Sequence, residues 1–395
     1  MIKMILLKSY YLIFFIAFIT SCKDNSTEVI MWEDALKLEP NTKIEKLRLD
    51  QLFEVDKTIA LETSNDIVIG QISKIILNKD RIYLLDMKRS KSVFVFTHEG
   101  KFVKRIRRSD AKNPFKPFDM SDICYSEKTG ELLVLDNGKN KVFIYDSDGN
   151  DLNKSLSVDF DTHAIACLLN GNVVGKNYNL EGSKSPLLYE IVRDGDVSVG
   201  FKHFVNIKDK KLFRDDHYFF NIFSNNTLFL DQYNDTIFNI IPNVGLEPKR
   251  IINFGKSKIP STFYNSNEEF PTFYHKQTSS SYSFRVLFYF ENDKHIFFPF
   301  LMDRSLIHYH LDKTTMVNRS INLGLEEGLL AIPVGFYAEG LILYFESYDL
   351  LNKKESAYPF KNKHLLSQIE KAISELSITQ EDNQILVFLS LKTNE

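Results

Sequence analysis

The sequence predicts an all-β protein, a six-bladed β-propeller with a short amphipathic helix inserted in its last blade. One observation is a long repeat: residues 81–86 (RIYLLD) recur as residues 131–136 (ELLVLD). Asp86 and Asp136 are about 50 residues apart, and short β-runs that recur at such a period are typical of propeller blades. A second observation is the aromatic content of 13%, because aromatic side chains favour strands.

Each copy of this repeat continues as a β-hairpin. A second apolar run follows at residues 93–96 in one copy and 142–145 in the other. Gly100 and Gly149 come next, each directly after an acidic residue. An acidic residue followed by glycine between two β-runs is a strong hairpin signal. We therefore expect each blade to contain four antiparallel strands joined by short turns.

The rest of the chain divides into further blades at similar spacing. The predicted blades begin near residues 74, 121, 164, 227, 283 and 331. About 55 residues per blade gives six blades over the mature chain. A propeller closes by pairing strands from its two termini, and residues 58–61 and 385–389 are the candidates. Residues 363–376 carry apolar side chains at helical spacing, which predicts the inserted helix.

The first residues predict export and lipid attachment. Lys3 and Lys8 mark a short positive region, which is followed by an apolar run at residues 10–20 that is shorter than the roughly 20 residues that span a bilayer. This pattern is typical of a signal peptide, and Cys22 behind it looks like the lipidated cysteine of a bacterial lipobox. An ordinary signal peptide with an incidental cysteine is the alternative. We expect a signal peptide at 1–21, a polar tether at 22–40 and the propeller at 41–395.

The two other cysteines, Cys124 and Cys167, lie in apolar β-like runs. Free buried thiols are the simpler interpretation, because unpaired cysteine is among the most buried residue types. A disulfide is the alternative in an oxidising compartment.

Several segments resemble a known family. The run at 81–86 with the turn at Gly100, the segment 235–238 with Pro248 behind it, and Asp382 next to Asn383 occur in this order. Together they resemble the six-bladed β-propeller lipoproteins of Bacteroidetes, which are related in shape to NHL-repeat proteins. The resemblance implies a protein anchored to the outer membrane, facing the periplasm or the cell surface. It implies no settled activity, and residues 108–118 depart from the glycine-rich turn of that family.

Few residues indicate chemistry. The net charge of −3 gives no basic field for nucleic acid. Residues 146–150 superficially resemble a calcium loop but match a hairpin turn better, since the glycine is misplaced for an EF-hand. His308 and His310 share one face of a predicted strand, and zinc requires further ligands. We therefore assign no catalytic, cofactor or metal residues, and calcium is retained as an alternative cofactor.

Two classes of function remain. The first is a lipid-anchored binding or scaffold module for a glycan, a peptide or an outer-membrane partner. The second is a calcium-assisted propeller hydrolase or lyase with carboxylates around the channel. The long insertion at residues 257–283 is the leading recognition loop, because loops of this length are uncommon without a function. Its candidate ligand-binding residues are Tyr264, Phe273, Tyr274 and His275.

Overall fold

The computed structural model divides the chain into two compact units, Met1–Ala35 and Leu36–Glu395. The first unit, which includes Cys22, lies outside the described residues, and the second is a β-propeller. The structure describes residues 36–40, 43–65, 67–107, 109–110, 113–117, 119–159, 162–177, 188–192, 199–201, 220–223, 226–230, 235–260, 263, 272, 275–277, 279–323, 333–352, 362–376 and 378–393.

Three strands and one helical turn precede the first blade. They are β1 (Leu36–Leu38), β2 (Ile44–Lys46), α1 (Leu49–Leu52) and β3 (Phe53–Ala60).

The next three sheets each contain four antiparallel strands in chain order. Blade 1 contains β4 (Lys74–Leu77), β5 (Ile82–Asp86), β6 (Ser92–Phe96) and β7 (Phe102–Ile106). A small hairpin of β8 (Ser109–Asp110) and β9 (Asn113–Pro117) follows. Blade 2 contains β10 (Met120–Ser126), β11 (Glu131–Asp136), β12 (Lys141–Asp146) and β13 (Asp151–Ser157). Blade 3 contains β14 (Thr162–Cys167), β15 (Val173–Asn177), β16 (Leu188–Ile191) and β17 (Val199–Phe201).

The last three sheets are larger or contain helices. Blade 4 contains β18 (Phe220–Phe223), β19 (Asn226–Leu230), β20 (Thr236–Ile241) and β21 (Gly245–Ile252). Blade 5 contains β22 (Ser283–Phe284), β23 (Phe290–Glu291), β24 (His295–Met302), β25 (Ser305–Asp312) and β26 (Val317–Asn322). Blade 6 contains β27 (Gly335–Tyr337), β28 (Gly340–Phe345), α2 (Ser347–Leu351), α3 (Lys363–Ser374) and β29 (Ile385–Leu391). The prediction of six blades with an inserted helix is confirmed.

The N-terminal strands belong to three different blades. β1 pairs in parallel with β21 of blade 4, and β2 pairs in parallel with β26 of blade 5. β3 then pairs with β29 and becomes the outer strand of blade 6. Because β1 is already part of a sheet, the propeller begins within the segment predicted as a tether, before residue 41.

Asp86, the repeated aspartate at the end of the second strand of blade 1, has a structural role. In blade 1 the Asp86 carboxylate accepts hydrogen bonds from the backbone N–H groups of Arg89 and Ser90, at 2.9 and 3.0 Å, and from Gly70 at 2.9 Å. These bonds outweigh the effect of burial and lower the pKa of Asp86 below its usual value. The residue therefore fixes the turn that leads into the third strand.

The predicted hairpins are also present. Gly100 and Gly149 have φ angles of +80° and +83°, a conformation that favours glycine. In the second hairpin the Asp146 carboxylate accepts hydrogen bonds from the backbone N–H groups of Asp148 and Asn150, at 3.0 and 2.8 Å. The segment at residues 146–150 is thus a hairpin turn, as its sequence indicates.

The hydrophobic core lies between neighbouring blades. Val95 of blade 1 and Leu132 of blade 2, for example, are both fully buried in one cluster. The helix α3 adds to the core with Leu365, Ile369 and Ile373, which recur at helical spacing on its buried face. No helix in the described part of the chain is long and apolar enough to cross a membrane.

The ring closes where the sequence predicts it. β3 and β29 are antiparallel, with Ala60 opposite Ile385 and Thr58 opposite Val387. Asn383, two residues before β29 begins, is hydrogen-bonded to the segment that connects β3 to blade 1. Its Nδ2 donates to the carbonyls of Glu62 and Ile67, at 2.9 and 2.8 Å, and its Oδ1 accepts from a backbone N–H.

The prediction of free thiols is wrong. Cys124 of β10 and Cys167 of β14 form a disulfide, with Cα atoms 5.8 Å apart. Both residues are buried, as expected, at 3% and 5% exposure. They lie in the inner strands of neighbouring blades, so the ring brings together two residues that are 43 positions apart in sequence.

We expect Asn383→Ala to destabilise the protein by about 3 kcal/mol, because three buried hydrogen bonds to backbone groups are lost. Urea unfolding measures this change, and Gln380→Ala is the control because Gln380 is exposed nearby. Equal unfolding midpoints for the two variants would show that Asn383 does not hold the closure.

We expect reduction of the Cys124–Cys167 disulfide to lower the free energy of unfolding by about 4 kcal/mol, from the entropy of a loop of this length. Thermal unfolding with and without reductant checks this value. The double variant Cys124→Ala/Cys167→Ala should have the melting temperature of the reduced protein, and reductant should not change it. An unchanged melting temperature after complete reduction would refute the expectation.

Candidate functional site: the central cavity

The centre of the ring contains a cavity of about 530 Å³. Its walls are the inner strands of five blades, β4, β10, β14, β23 and β27, together with the turns that follow β10, β23 and β27. This volume lies within the range of sites that bind small ligands or short chain segments. Because most residues of these turns that line the cavity are exposed, the cavity opens on the face of the ring where the inner strands end.

The deep end of the cavity is held by a charged pair. The Lys74 Nζ atom donates to Asp122 Oδ1 at 2.7 Å and to the Ile123 carbonyl at 2.9 Å. The second oxygen of Asp122 accepts from the backbone N–H of Ile165 at 2.8 Å. These contacts tie the inner strands of blades 1, 2 and 3 together. Lys74, Ile123 and Ile165 also line the cavity.

The middle of the cavity is mainly apolar. The inner strand β4 contributes Ile76 and Leu77, and blade 6 contributes Phe336, and all three are partly exposed. Phe336 is half-buried and stacks on Phe290 with ring centroids 6.1 Å apart. A ligand in this region would therefore contact aliphatic and aromatic groups.

The mouth carries exposed charges of both signs. Glu127 follows β10, Asp293 and Lys294 follow β23, and Glu339 follows β27. These positions correspond to one another, because each lies in the turn after an inner strand. No group of three or more His, Cys, Asp or Glu side chains among the described residues is arranged to hold a metal ion.

A buried carboxylate supports the blade 5 side of the mouth. Glu291 is 2% exposed. It accepts from Arg250 Nη2 at 2.6 Å, from Lys313 Nζ at 2.7 Å and from the Tyr289 hydroxyl at 2.6 Å. Burial opposes its ionisation, but the hydrogen bonds of Lys313 and Tyr289 and the charge of Arg250 outweigh burial and lower the pKa of Glu291. The cluster joins blade 4 to blade 5.

Asparagine side chains shape the turns at this face. Asn292 Oδ1 accepts from the backbone N–H groups of Lys294 and His295, at 2.9 and 2.6 Å. Its Nδ2 donates to the carbonyl of Ala338 in blade 6 at 2.9 Å. Asn78 organises the corresponding turn of blade 1 in the same way. An asparagine followed by two charged residues, directly after an inner strand, is the sequence signal that could have located this face.

The two histidines noted in the sequence are buried in blade 5. His308 is 2% exposed and stacks on Phe297, with ring centroids 5.7 Å apart. His310 is 1% exposed, and its Nε2 lies 3.2 Å from Nδ1 of His295. Burial lowers the pKa of His308 to about 4. Burial and the neighbouring His295 lower the pKa of His310 to about 4. Neither histidine lines the cavity.

None of the described residues of the predicted recognition loop lines the cavity. Tyr264, Phe273 and Tyr274 lie outside the described residues, and His275 is an exposed residue in a short helical stretch. The insertion connects the last strand of blade 4 to the first strand of blade 5. The sequence therefore did not indicate the cavity, which is built from inner strands of five blades.

The comparisons with known proteins agree with this architecture. Residues 34–390 match a family described as a domain of unknown function, DUF4934, and the chain belongs to this family. No curated protein matches the sequence.

One solved structure shares the fold over nearly the whole chain. It is a protein from Bacteroides fragilis that is provisionally described as exported, with 18% identity, a TM-score of 0.69, and coverage of 91% of this chain and all (100%) of that one. A DUF4221 protein from Bacteroides vulgatus has 9% identity and a TM-score of 0.49 over 87% of this chain and 98% of its own. The virginiamycin B lyase of Staphylococcus aureus has 13% identity and a TM-score of 0.41 over 74% of this chain and 81% of its own. The last two likenesses are too weak to support an argument.

We expect acid to destabilise the propeller between about pH 6.5 and pH 4. The folded state resists protonation of His308 until about pH 4, whereas the unfolded chain takes up this proton near pH 6.5. Stability is therefore full above this window and falls as the pH falls through it. In the His308→Phe variant, the fall in the free energy of unfolding across this window should be about 3 kcal/mol smaller. Urea unfolding across the window checks this, with the exposed His364→Gln as control. Parallel curves for both variants and the native protein would contradict it.

Proposed function

We propose that this protein is a cell-envelope binding module that holds a glycan, a peptide or an outer-membrane partner, with the central cavity as the binding site. The cavity of about 530 Å³ carries the proposal. Its walls come from five blades, three of which are joined by Lys74, Asp122 and a disulfide. Such a site is formed before the ligand arrives, so little ordering entropy is lost on binding.

The proposed location is the outer membrane, with a lipid on Cys22 and the propeller in the periplasm or at the cell surface. The lipobox-like sequence before Cys22 supports this location. The disulfide supports an oxidising compartment. The Bacteroides fragilis protein of the same fold is provisionally described as exported, which agrees with this location.

A second candidate is a calcium-assisted hydrolase or lyase. The observation in its favour is the position of Glu127, Asp293 and Glu339 in corresponding turns around the mouth. Carboxylates at a channel mouth could bind calcium or transfer protons once a substrate is present. Calcium dependence separates the two candidates.

The test is thermal unfolding of the folded unit in the presence of glycan and peptide panels, with calcium and then with chelator. A ligand at one hundred times its Kd should raise stability by about 2.7 kcal/mol. Ala338→Trp places a bulky side chain at the mouth and should abolish this rise, because Ala338 lines the cavity. Gln380→Trp is the matched control on an exposed position.

The outcomes are distinct. A rise that persists in Ala338→Trp would place the ligand elsewhere and refute the cavity as the site. A rise that requires calcium and disappears with chelator would favour the enzyme. If no member of either panel changes the melting temperature, the proposal of a small-ligand binding module fails.

A further inference from the structure

One hydrogen-bond donor is available at the deep end of the cavity. A lysine ammonium group has three N–H donors. Two of them in Lys74 are directed to Asp122 and to the carbonyl of Ile123. Within the described part of the chain, Lys74 has no third acceptor. Its side chain is 18% exposed and lines the cavity, so the third donor can reach a ligand.

The acceptor that suits this donor is uncharged. The charge of Lys74 is already paired with Asp122 at 2.7 Å. A ligand carboxylate bound to the same ammonium would lie close to Asp122 and would be repelled by it. A carbonyl oxygen accepts the hydrogen bond without this repulsion. The deep end therefore favours an amide or another neutral carbonyl over a free acid.

The wall above Lys74 favours apolar groups. Ile76, Leu77 and Phe336 line the cavity and are partly exposed, so they offer apolar surface to a ligand. The hydroxyl groups of a sugar would lose their hydrogen bonds to water against this surface, at a cost in free energy. Apolar side chains of a peptide gain free energy there. Among the ligand classes of the proposed function, the wall thus favours a peptide.

The mouth fits the polar part of such a ligand. Glu127 and Glu339 can accept hydrogen bonds from N–H groups, and Lys294 can donate to carbonyl groups. A peptide backbone presents both kinds of group at short intervals. The charges at the mouth are therefore complementary to an emerging peptide chain.

We infer that the cavity receives the uncharged, apolar end of a peptide, with Lys74 donating a hydrogen bond to the deepest carbonyl group. This inference rests on the proposed function, since it names the ligand class of the same cavity. The ligand enters with its neutral carbonyl first, its apolar side chains contact Ile76, Leu77 and Phe336, and its backbone leaves past Glu127 and Glu339.

The experiment is calorimetric titration of the folded protein with acetyl-Leu-Phe-amide, with the matching free acid acetyl-Leu-Phe, and with a disaccharide of similar size. The amide should bind at least tenfold more tightly than the free acid, and more tightly than the disaccharide. Lys74→Met should weaken binding of the amide about tenfold. Lys79→Met is the matched control, because the Lys79 side chain is 85% exposed in the turn after β4.

The comparison of the amide with the free acid uses the native protein, so it tests the inference even if the Lys74→Met variant fails to fold. Equal or tighter binding of the free acid overturns the inference while the binding module stands. Binding of the disaccharide without binding of the amide also overturns the inference and leaves the binding module standing. If none of the three compounds binds, the inference is refuted, and the wider glycan and peptide panels separately decide the proposed function.

Discussion

The pairing of β3 with β29 is the constraint on which the whole ring depends. An open ring would expose the long edge of β29 and the apolar faces of blades 1 and 6 to water. The closure consists of two parts, a ladder of hydrogen bonds between the strands and the side chain of Asn383 in front of it. Because the ladder joins residues more than 300 positions apart, it forms only when the intervening blades are in place.

The inner strands are joined by side chains as well as by packing. Lys74 and Asp122 connect blades 1 and 2, and Asp122 reaches the backbone of blade 3. The Cys124–Cys167 disulfide lies beside this connection. The same residues that stabilise the ring also give the cavity its stiff wall, so stability and the capacity to bind a ligand depend on shared contacts.

The parts of the fold that were predictable from sequence are those with local signals. The recurrence of Asp86 at Asp136 indicated the blades, because both residues end the second strand of a blade. The glycines at 100 and 149 indicated hairpins, because the turns require a positive φ angle. The apolar spacing along α3 indicated a helix, because it places the apolar side chains on one buried face. The role of β1 was missed, because a short strand that pairs with a distant blade carries no local signal.

The sequence by itself determined the class of fold, the number of blades, the place of closure and the predicted export signal. Each of these depends on repeated patterns or on short segments that act alone. Only the tertiary structure decided that Cys124 and Cys167 are bonded, that His308 is buried and that Lys74 faces a cavity. Those features depend on contacts between residues of different blades, and the spacing along the chain does not show which residues come into contact.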